Sequence, residues 1–289
     1  MTSRVIPCAL KPETKLRINR YAETIRARAP SMLEPGLPEE KFWNMGLFGA
    51  AIERLRGIQA ASTADKREFV EVVLRHLEAA GLISGSRYKG AGERFDFEVR
   101  MPSGRVVVIE AKGCLDGNNT NIFERPPQAE EFIIWSLCQN AGADPEHNAW
   151  SGIHTRLGAE IIHRQQRVDG LVIWDKLCGT ARPCPKLEKN PKIGTQLETG
   201  ATVPPPCLYL FPRSLPDPRN NPAPKPWRLP EVEFLTALHA AFNGGTSDVT
   251  TVEIRAEMDG ARLMRKTLLR RDGELIRESG WTELKRSRR

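Results

Sequence analysis

The chain has 289 residues, 43 of them Lys or Arg and 36 Asp or Glu, and its formal net charge is +7 at pH 7. A chain of this length can bury a substantial core and form one or two domains. It contains no apolar run of membrane-spanning length, and residues 1–20 lack the apolar core of a secretion signal, so we expect a cytoplasmic protein without a membrane partner. The positive charge suits a polyanionic partner, although charge alone supports nucleic acid only weakly.

Helical patterns begin the chain. Residues 1–60 contain basic amphipathic and apolar-rich stretches and predict an N-terminal helical subdomain. A further helix is predicted over residues 65–78, and Gly81 supplies its C-terminal stop. We expect this helix to open a core domain over residues 61–176, since it carries an apolar stripe at helical spacing, made of Phe69, Val70, Val73, Leu74 and Leu77.

Two strands joined by a tight turn are predicted after the helix. The sequences RFDFEVR over residues 94–100 and RVVVIEAKG over residues 105–113 alternate or run apolar as strands do, and residues 101–104 form the turn between them. Because the turn is short, the two strands are expected to pair antiparallel. The first strand carries an acid at Asp96 and the second carries one at Glu110.

Strand geometry predicts that these charges meet on one face. Side chains at positions i and i+2 of a strand share a face, so Glu110 and Lys112 point the same way while Ala111 points into the core. The antiparallel partner can bring Asp96 beside them. Two carboxylates that converge with an ammonium can hold a divalent cation and activate a water for phosphodiester hydrolysis. The alternative is an ordinary cross-strand ion pair on a solvated sheet face.

In this strand setting, Asp96, Glu110 and Lys112 resemble the motif of the PD-(D/E)XK nuclease superfamily, which type II restriction endonucleases typify. The resemblance covers residues 63–176. It departs from the motif at Phe95, which stands where the motif has a proline. It implies an α/β fold (an α+β mixed sheet) with a restriction-endonuclease-like core, whose elements run helix, three-strand meander, helix, strand.

The resemblance also implies the chemistry of the site. Mg2+ would be held by Asp96, Glu110 and the main-chain carbonyl of Ala111, where it would activate a water and neutralise phosphate charge. Lys112 would orient the nucleophile or stabilise the transition state. These oxygen-only ligands favour magnesium or manganese, and calcium should bind without supporting much turnover.

Several nucleases of this superfamily add a helix-borne acid to the metal ligands. Glu71 is the candidate here, with Glu68 as the alternative, because Glu71 lies nearer the buried stripe of its helix. Glu98 is two residues from Asp96 on the same strand and is a further candidate ligand. The competing interpretation of all three glutamates is that they are solvated surface charges.

The remaining core elements are predicted from apolar runs. Residues 128–139, preceded by Pro126 and Pro127, predict a largely buried helix. Residues 154–166 predict a further helix, which leads into a short core strand over residues 168–174. Helix, three-strand meander, helix and strand is the order that the resemblance implies.

The composition changes after residue 176. Residues 177–230 are rich in proline and predict an extended segment, with one longer periodic run over residues 207–211. Residues 231–289 predict a C-terminal helix and then a basic β-meander, with hairpin turns at the Asp-Gly pairs of residues 259–260 and 272–273. Three cysteines could close a zinc site with a histidine, with ordinary thiols as the alternative: Cys178, Cys184 and Cys207.

DNA contacts are predicted in two places. The loop after the catalytic strand offers polar side chains, with a turn-rich surface loop as the alternative: Asn118, Asn119, Asn121 and Arg125. The C-terminal meander offers arginines that could contact phosphates or guanine bases, with a solvated strand face as the alternative: Arg265, Arg270 and Arg271.

The sequence therefore predicts a Mg2+-dependent endonuclease for double-stranded DNA, and the first hypothesis is a type II restriction enzyme that cuts at a specific site. No Walker loop accompanies the predicted nuclease core. A homodimer is expected, since each DNA strand needs one active centre. The alternatives are a repair, recombination or transposon-type PD-(D/E)XK nuclease and a DNA-binding protein without catalysis.

Overall fold

A ten-stranded mixed sheet runs through the part of the chain that the structure describes. The structure is a computed structural model, and it describes residues 63–89, 95–113, 126–137, 169–174, 190–200, 202–214 and 216–283. Its helices and strands, in chain order, are α1 (Thr63–Ala79), β1 (Gly85–Tyr88), β2 (Phe97–Arg100), β3 (Val106–Gly113), β4 (Glu131–Leu137), β5 (Gly170–Trp174), β6 (Thr195–Gln196), β7 (Thr202–Val203), β8 (Cys207–Leu210), α2 (Glu233–Ala241), β9 (Val249–Asp259), β10 (Arg262–Arg271), β11 (Glu274–Glu278) and β12 (Thr282–Glu283), with short 3-10 turns at Pro191–Ile193, Leu229–Glu231 and Thr246–Asp248.

The strand order of the large sheet is β1-β2-β3-β4-β5-β8-β9-β10-β11, and β12 also pairs with β10. Strands β1, β2 and β3 form the predicted antiparallel meander. Strand β4 then lies parallel to β3, and β5 lies parallel to β4. Strand β8 runs antiparallel to β5 and parallel to β9, after which β9, β10 and β11 form consecutive hairpins. The mixed α+β class predicted from the sequence is confirmed.

Helix α1 forms where the apolar stripe predicts it. The helix is followed by Gly81, whose φ of +69° is easily adopted only by a residue without a Cβ. The buried stripe packs on one side of the sheet, where the Phe69 ring meets the Trp135 ring edge-on with centroids 6.5 Å apart. Helix α2 covers the same side, since the Phe234 ring packs on the Trp135 ring with their centroids 6.4 Å apart. We call this side of the sheet, which carries Phe97, Val99, Val107, Ile109 and Trp135, the helix face.

The helix predicted over residues 128–139 is wrong, because this segment contains strand β4. Its central side chains are at most 1% exposed, and they point alternately to both sides of a sheet that is covered on both faces: Phe132, Ile133, Ile134 and Trp135. A strand buried in this way is apolar at every position, so its sequence lacks the alternation that distinguishes a strand from a buried helix. Pairing with β3 and β5 supplies the hydrogen bonds that decide the outcome.

The proline-rich segment contributes to the main sheet. The periodic run of residues 207–211 contains strand β8, which lies between β5 and β9. The sheet therefore continues from residues 61–176 through 177–230 into 231–289. The strand predicted over residues 168–174 is confirmed as β5. The C-terminal helix predicted within residues 231–289 is confirmed as α2.

The C-terminal strands are longer than the short strands predicted, since β9 has 11 residues and β10 has 10. The first hairpin loop is Gly260 and Ala261, one residue later than predicted, and Gly260 has φ +59°. The second loop is the predicted Asp272-Gly273 pair, with φ values of +52° and +82°. Two positive φ values define a type I′ turn, whose twist matches that of the strands it joins.

The predicted N-terminal subdomain of residues 1–60 and the helix predicted over residues 154–166 lie outside the described residues. Among the helices that the structure describes, none has the length and apolar character needed to cross a membrane.

Candidate active site

Asp96 lies next to the end of the β2-β3 ladder. The last pair of that ladder is Phe97 with Ile109, and both side chains belong to the core of the helix face. Asp96 precedes Phe97 and Glu110 follows Ile109, so strand alternation predicts that the two acids share the other side of the sheet. The Asp96 N–H donates to the Ile109 carbonyl at 3.1 Å, which holds this end of the pairing together. We call this second side, which carries Asp96, Glu98 and Glu110, the acid face.

A side-chain contact ties Asp96 to the strand that carries Glu110. The main-chain N–H of Ala111 donates to Oδ2 of Asp96 at 2.8 Å. The Ala111 side chain packs against the core of the helix face, as predicted. Because the N–H and C=O of one strand residue point to the same side, the Ala111 carbonyl is expected beside Asp96 as well.

The two acids lie where the acid face changes from open to covered. Toward β3 and β4 this face is buried, and Val108 is 0% exposed. Toward β1 and β2 it is open, and Arg100 is exposed. Glu110 is 5% exposed, while Asp96 is half-buried. A ligand on the open part of the face could therefore reach Asp96 directly.

Within the described residues, no group of three or more His, Cys, Asp or Glu side chains could hold a metal ion. The hydrogen bond from Ala111 holds Asp96 near the part of β3 that carries Glu110, so these two acids could supply two carboxylates at most. Mg2+ is commonly held by one or two carboxylates together with water and substrate phosphates, so this donor set fits magnesium. A structural zinc site would need four Cys or His ligands, which these residues do not supply.

Lys112 lies in β3 two residues after Glu110, and its main chain is in register with Ser136 of β4. Strand alternation predicts that Lys112 shares the face of Glu110, and this placement stays a prediction. Of the cysteines in the proposed zinc site, Cys207 lies in β8, while Cys178 and Cys184 are outside the described residues.

The structure does not bring Glu71 to the acid face. Glu71 accepts a hydrogen bond of 2.7 Å from Nε of Arg67, one helical turn earlier. The Arg67 guanidinium lies over the Tyr88 ring, 3.9 Å from its centroid. Tyr88 packs against the core of the helix face, so Glu71 lies on the opposite side of the sheet from Asp96. Glu68, the alternative, is an exposed residue of the same helix.

Glu98 is on the acid face, where it forms an ion pair with a residue that the sequence analysis did not identify. Nζ of Lys89 lies 3.2 Å from Oε2 of Glu98. The Lys89 N–H also donates to the Asp96 carbonyl at 3.0 Å, so Lys89 lies beside Asp96, just past the end of β1. The alternation of Arg87, Tyr88 and Lys89 around one apolar residue is the sequence signal that could have placed Lys89 on this face.

The chain matches no protein-family model, no curated protein and no solved structure. Its function is therefore inferred from the residues of the site.

The arginines predicted to bind DNA from the C-terminal meander have partners within the protein. Nε of Arg270 is 2.8 Å from Oε1 of Glu253. Arg271 donates through Nε and Nη2 to the Thr250 hydroxyl, at 3.2 and 3.1 Å. Arg265 is partly buried, and burial lowers the pKa of its guanidinium. These contacts hold the arginines against their own sheet.

The meander itself is balanced in charge. Residues 249–283 contain seven Arg and Lys and seven Asp and Glu, so the expected basic ribbon has no net charge over its described length. The basic excess falls in residues 284–289, outside the described residues. The predicted DNA contacts of the other loop lie outside them as well: Asn118, Asn119, Asn121 and Arg125.

A second pair of buried acids, Glu131 and Asp169, lies where the central strands β4 and β5 begin. Glu131 is 5% exposed and accepts hydrogen bonds from the N–H groups of Glu233 at 2.7 Å and Phe234 at 3.1 Å. Asp169 accepts one from the N–H of Phe132. Burial raises the pKa of Glu131 above its usual range. Glu131 thus caps the N-terminus of α2 and fastens this helix to the sheet.

Proposed function

We propose that this protein is a Mg2+-dependent endonuclease of the PD-(D/E)XK type that cuts double-stranded DNA, with type II restriction at a specific site as its activity. The observation that carries the proposal is the 2.8 Å hydrogen bond from the Ala111 N–H to Oδ2 of Asp96, which holds this carboxylate at the residue that follows Glu110. Two acids from adjacent strands and a lysine two residues after the second acid are the parts that phosphodiester hydrolysis needs.

The chain's own groups would divide the work as follows. Asp96, Glu110 and the Ala111 carbonyl would hold Mg2+. When bound, this ion neutralises phosphate charge and makes water a better nucleophile at neutral pH. The hydrogen bond from Ala111 fixes Oδ2 of Asp96, so the carboxylate is oriented before a ligand arrives. Lys112 would place an ammonium near the scissile phosphate, where negative charge increases in the transition state.

The element order is compatible with this proposal. Helix α1, the meander β1-β2-β3 and the parallel strand β4 beside β3 follow one another in an order that is compatible with a restriction-endonuclease-like core. The second helix that the resemblance implies is not among the described residues between β3 and β5, which the β3-β4 and β4-β5 connections span. Most of both connections is outside the described residues. A homodimer is part of the proposal, since a duplex has two strands to cut.

Incubation of a supercoiled plasmid with and without Mg2+ tests the activity. We expect discrete fragments with Mg2+ or Mn2+ and little cutting with Ca2+. Smearing would indicate a nonspecific nuclease, and a requirement for branched or damaged DNA would indicate repair or recombination. A gel shift without cuts would indicate a binding protein.

Single substitutions then test the site. Glu110→Ala, Asp96→Ala and Lys112→Ala should each abolish cutting without loss of the far-ultraviolet dichroism of the fold. The matched control is Glu257→Ala, which removes an exposed acid from β9 and should cut normally. Retained Mg2+-dependent cleavage by Glu110→Ala would refute the assignment.

A further inference from the structure

Three cations lie along β1 and β2 on the open part of the acid face. In the β1-β2 ladder Arg87 is opposite Glu98. Lys89 directly follows the last residue of β1, and its ammonium pairs with Glu98. Strand alternation also puts Arg100 on this face, four residues from Asp96 and therefore about 13 Å along β2. Arg87 and Arg100 are both exposed. A strip of positive charge thus borders Asp96 on the side from which a ligand could approach.

Two of these cations are available for an external partner. Among the arginines whose side chains the structure describes, Arg87 and Arg100 are the ones that form neither an ion pair nor a side-chain hydrogen bond. Most of the others bind acids or hydroxyls of their own chain, as Arg270 binds Glu253. Exposed arginines can be left without partners anywhere on a surface, but these two lie on the face that carries Asp96 and Glu110.

We propose that Arg87 and Arg100, with Lys89 between them and the acids, bind the phosphate backbone of double-stranded DNA next to the scissile bond. This inference rests on the proposed nuclease function and extends it by assigning the surface on which the duplex lies. Guanidinium groups bind phosphate oxygens through paired N–H donors, and such contacts position a duplex without reading its sequence. The strip would align the backbone so that one phosphate reaches the Asp96–Glu110 pair.

The experiment measures binding separately from cleavage. A fluorescently labelled duplex of mixed sequence is titrated with protein in EDTA and in Ca2+, at salt concentrations between about 50 and 200 mM. The test protein is the double variant Arg87→Ala/Arg100→Ala. We expect affinity about 10- to 100-fold below that of the wild type, and a salt slope smaller by about two because each phosphate contact contributes about 0.9.

Matched variants isolate the position of the charges. Arg219→Ala/Arg262→Ala removes the same two positive charges from exposed sites that pair with Asp217 and Asp259, and we expect wild-type affinity and slope. Arg87→Lys/Arg100→Lys keeps the charges and should recover most of the affinity, since lysine also binds phosphate. Equal thermal midpoints would show that the variants fold alike.

Three results would overturn the assignment: wild-type affinity in Arg87→Ala/Arg100→Ala, an equal loss in both alanine double variants, or no duplex binding by the wild type. Failure of the nuclease proposal gives a different result. In that case no cutting occurs with any metal, yet the affinity still depends on Arg87 and Arg100.

Discussion

The N–H of Ala111 donates a 2.8 Å hydrogen bond to Oδ2 of Asp96, which is 15 residues earlier in the chain. One oxygen of the proposed metal ligand is thereby part of the β2-β3 connection. Two different substitutions at this position can therefore separate the structural role of Asp96 from its charge.

Asp96→Asn keeps an oxygen that can accept the Ala111 N–H but removes the negative charge. We expect a thermal midpoint close to that of the wild type and a loss of cleavage of about 100-fold or more. Asp96→Ala also leaves the Ala111 N–H without this acceptor and should lower the unfolding free energy by about 1 kcal/mol. Cleavage rates and urea unfolding of both variants make the comparison. Normal cleavage by Asp96→Asn would remove Asp96 from the metal site.

Glu98→Gln tests whether this acid belongs to the metal ligands or to the charge balance of the DNA surface. Glu98 is paired with Lys89 at 3.2 Å and lies opposite Arg87. Loss of its charge should leave the surface more positive, so we expect duplex affinity to rise about 3-fold at low salt. Mg2+-dependent cleavage at saturating protein should be retained. A collapse of cleavage with unchanged DNA affinity would instead make Glu98 a ligand.

Arg270→Ala tests the predicted DNA contact of the C-terminal meander. Its guanidinium is paired with Glu253, and both side chains are about one-quarter to one-third exposed, at 24% and 31%. We expect a loss of about 0.5 kcal/mol of stability and no change in duplex affinity. The titration used for Arg87 and Arg100 supplies the measurement. An affinity loss as large as that of Arg87→Ala/Arg100→Ala would show that the C-terminal meander contacts DNA.

Glu131→Ala should destabilise the fold by about 1 to 3 kcal/mol, because the buried N–H groups of Glu233 and Phe234 lose their acceptor. Glu131→Gln should cost less, since its amide has one oxygen that can still accept. Urea unfolding at neutral pH measures both. Glu257→Ala is the control, since it removes an exposed acid of β9 far from the N-terminus of α2.

The pH dependence of Glu131 has a definite sign. Burial raises its pKa in the folded protein above that in the unfolded chain. Protonation therefore favours folding, and this contribution is complete below the unfolded pKa and lost as the pH rises through the folded pKa. The stability of the wild type relative to Glu131→Gln should fall as the pH rises from about 4.5 toward 7. A difference that is constant over this range would contradict the raised pKa.

Gly170→Ala tests the contact between β5 and α2. A Cβ at position 170 would lie 2.5 Å from Cδ1 of Leu235, whose side chain is 0% exposed. We expect a loss of about 1 to 3 kcal/mol from overpacking. Leu235→Val shortens the opposing side chain, so the double variant should lose less than the sum of the two single variants. Additive losses would show that the methyl group introduced at position 170 does not clash with the Leu235 side chain.

Local patterns in the sequence were sufficient for several elements. Helix α1, the β2-β3 hairpin and the type I′ turn at residues 272–273 were all predicted, because an apolar stripe, an alternating strand and an Asp-Gly pair each act over a few residues. The contact of Asp96 with the part of β3 that carries Glu110 follows from the same hairpin. Its register was available from the short turn between the strands.

The sequence by itself therefore determined which charged residues share the β2-β3 hairpin. The tertiary structure decided that residues 131–137 form a strand, because a run apolar at every position satisfies either a buried helix or a strand until its neighbours supply hydrogen bonds. The tertiary structure also decided which arginines are paired with groups of their own chain. Arg270 meets Glu253 and α2 meets Glu131 across 17 and 102 residues of chain, and no local pattern encodes such distant partners.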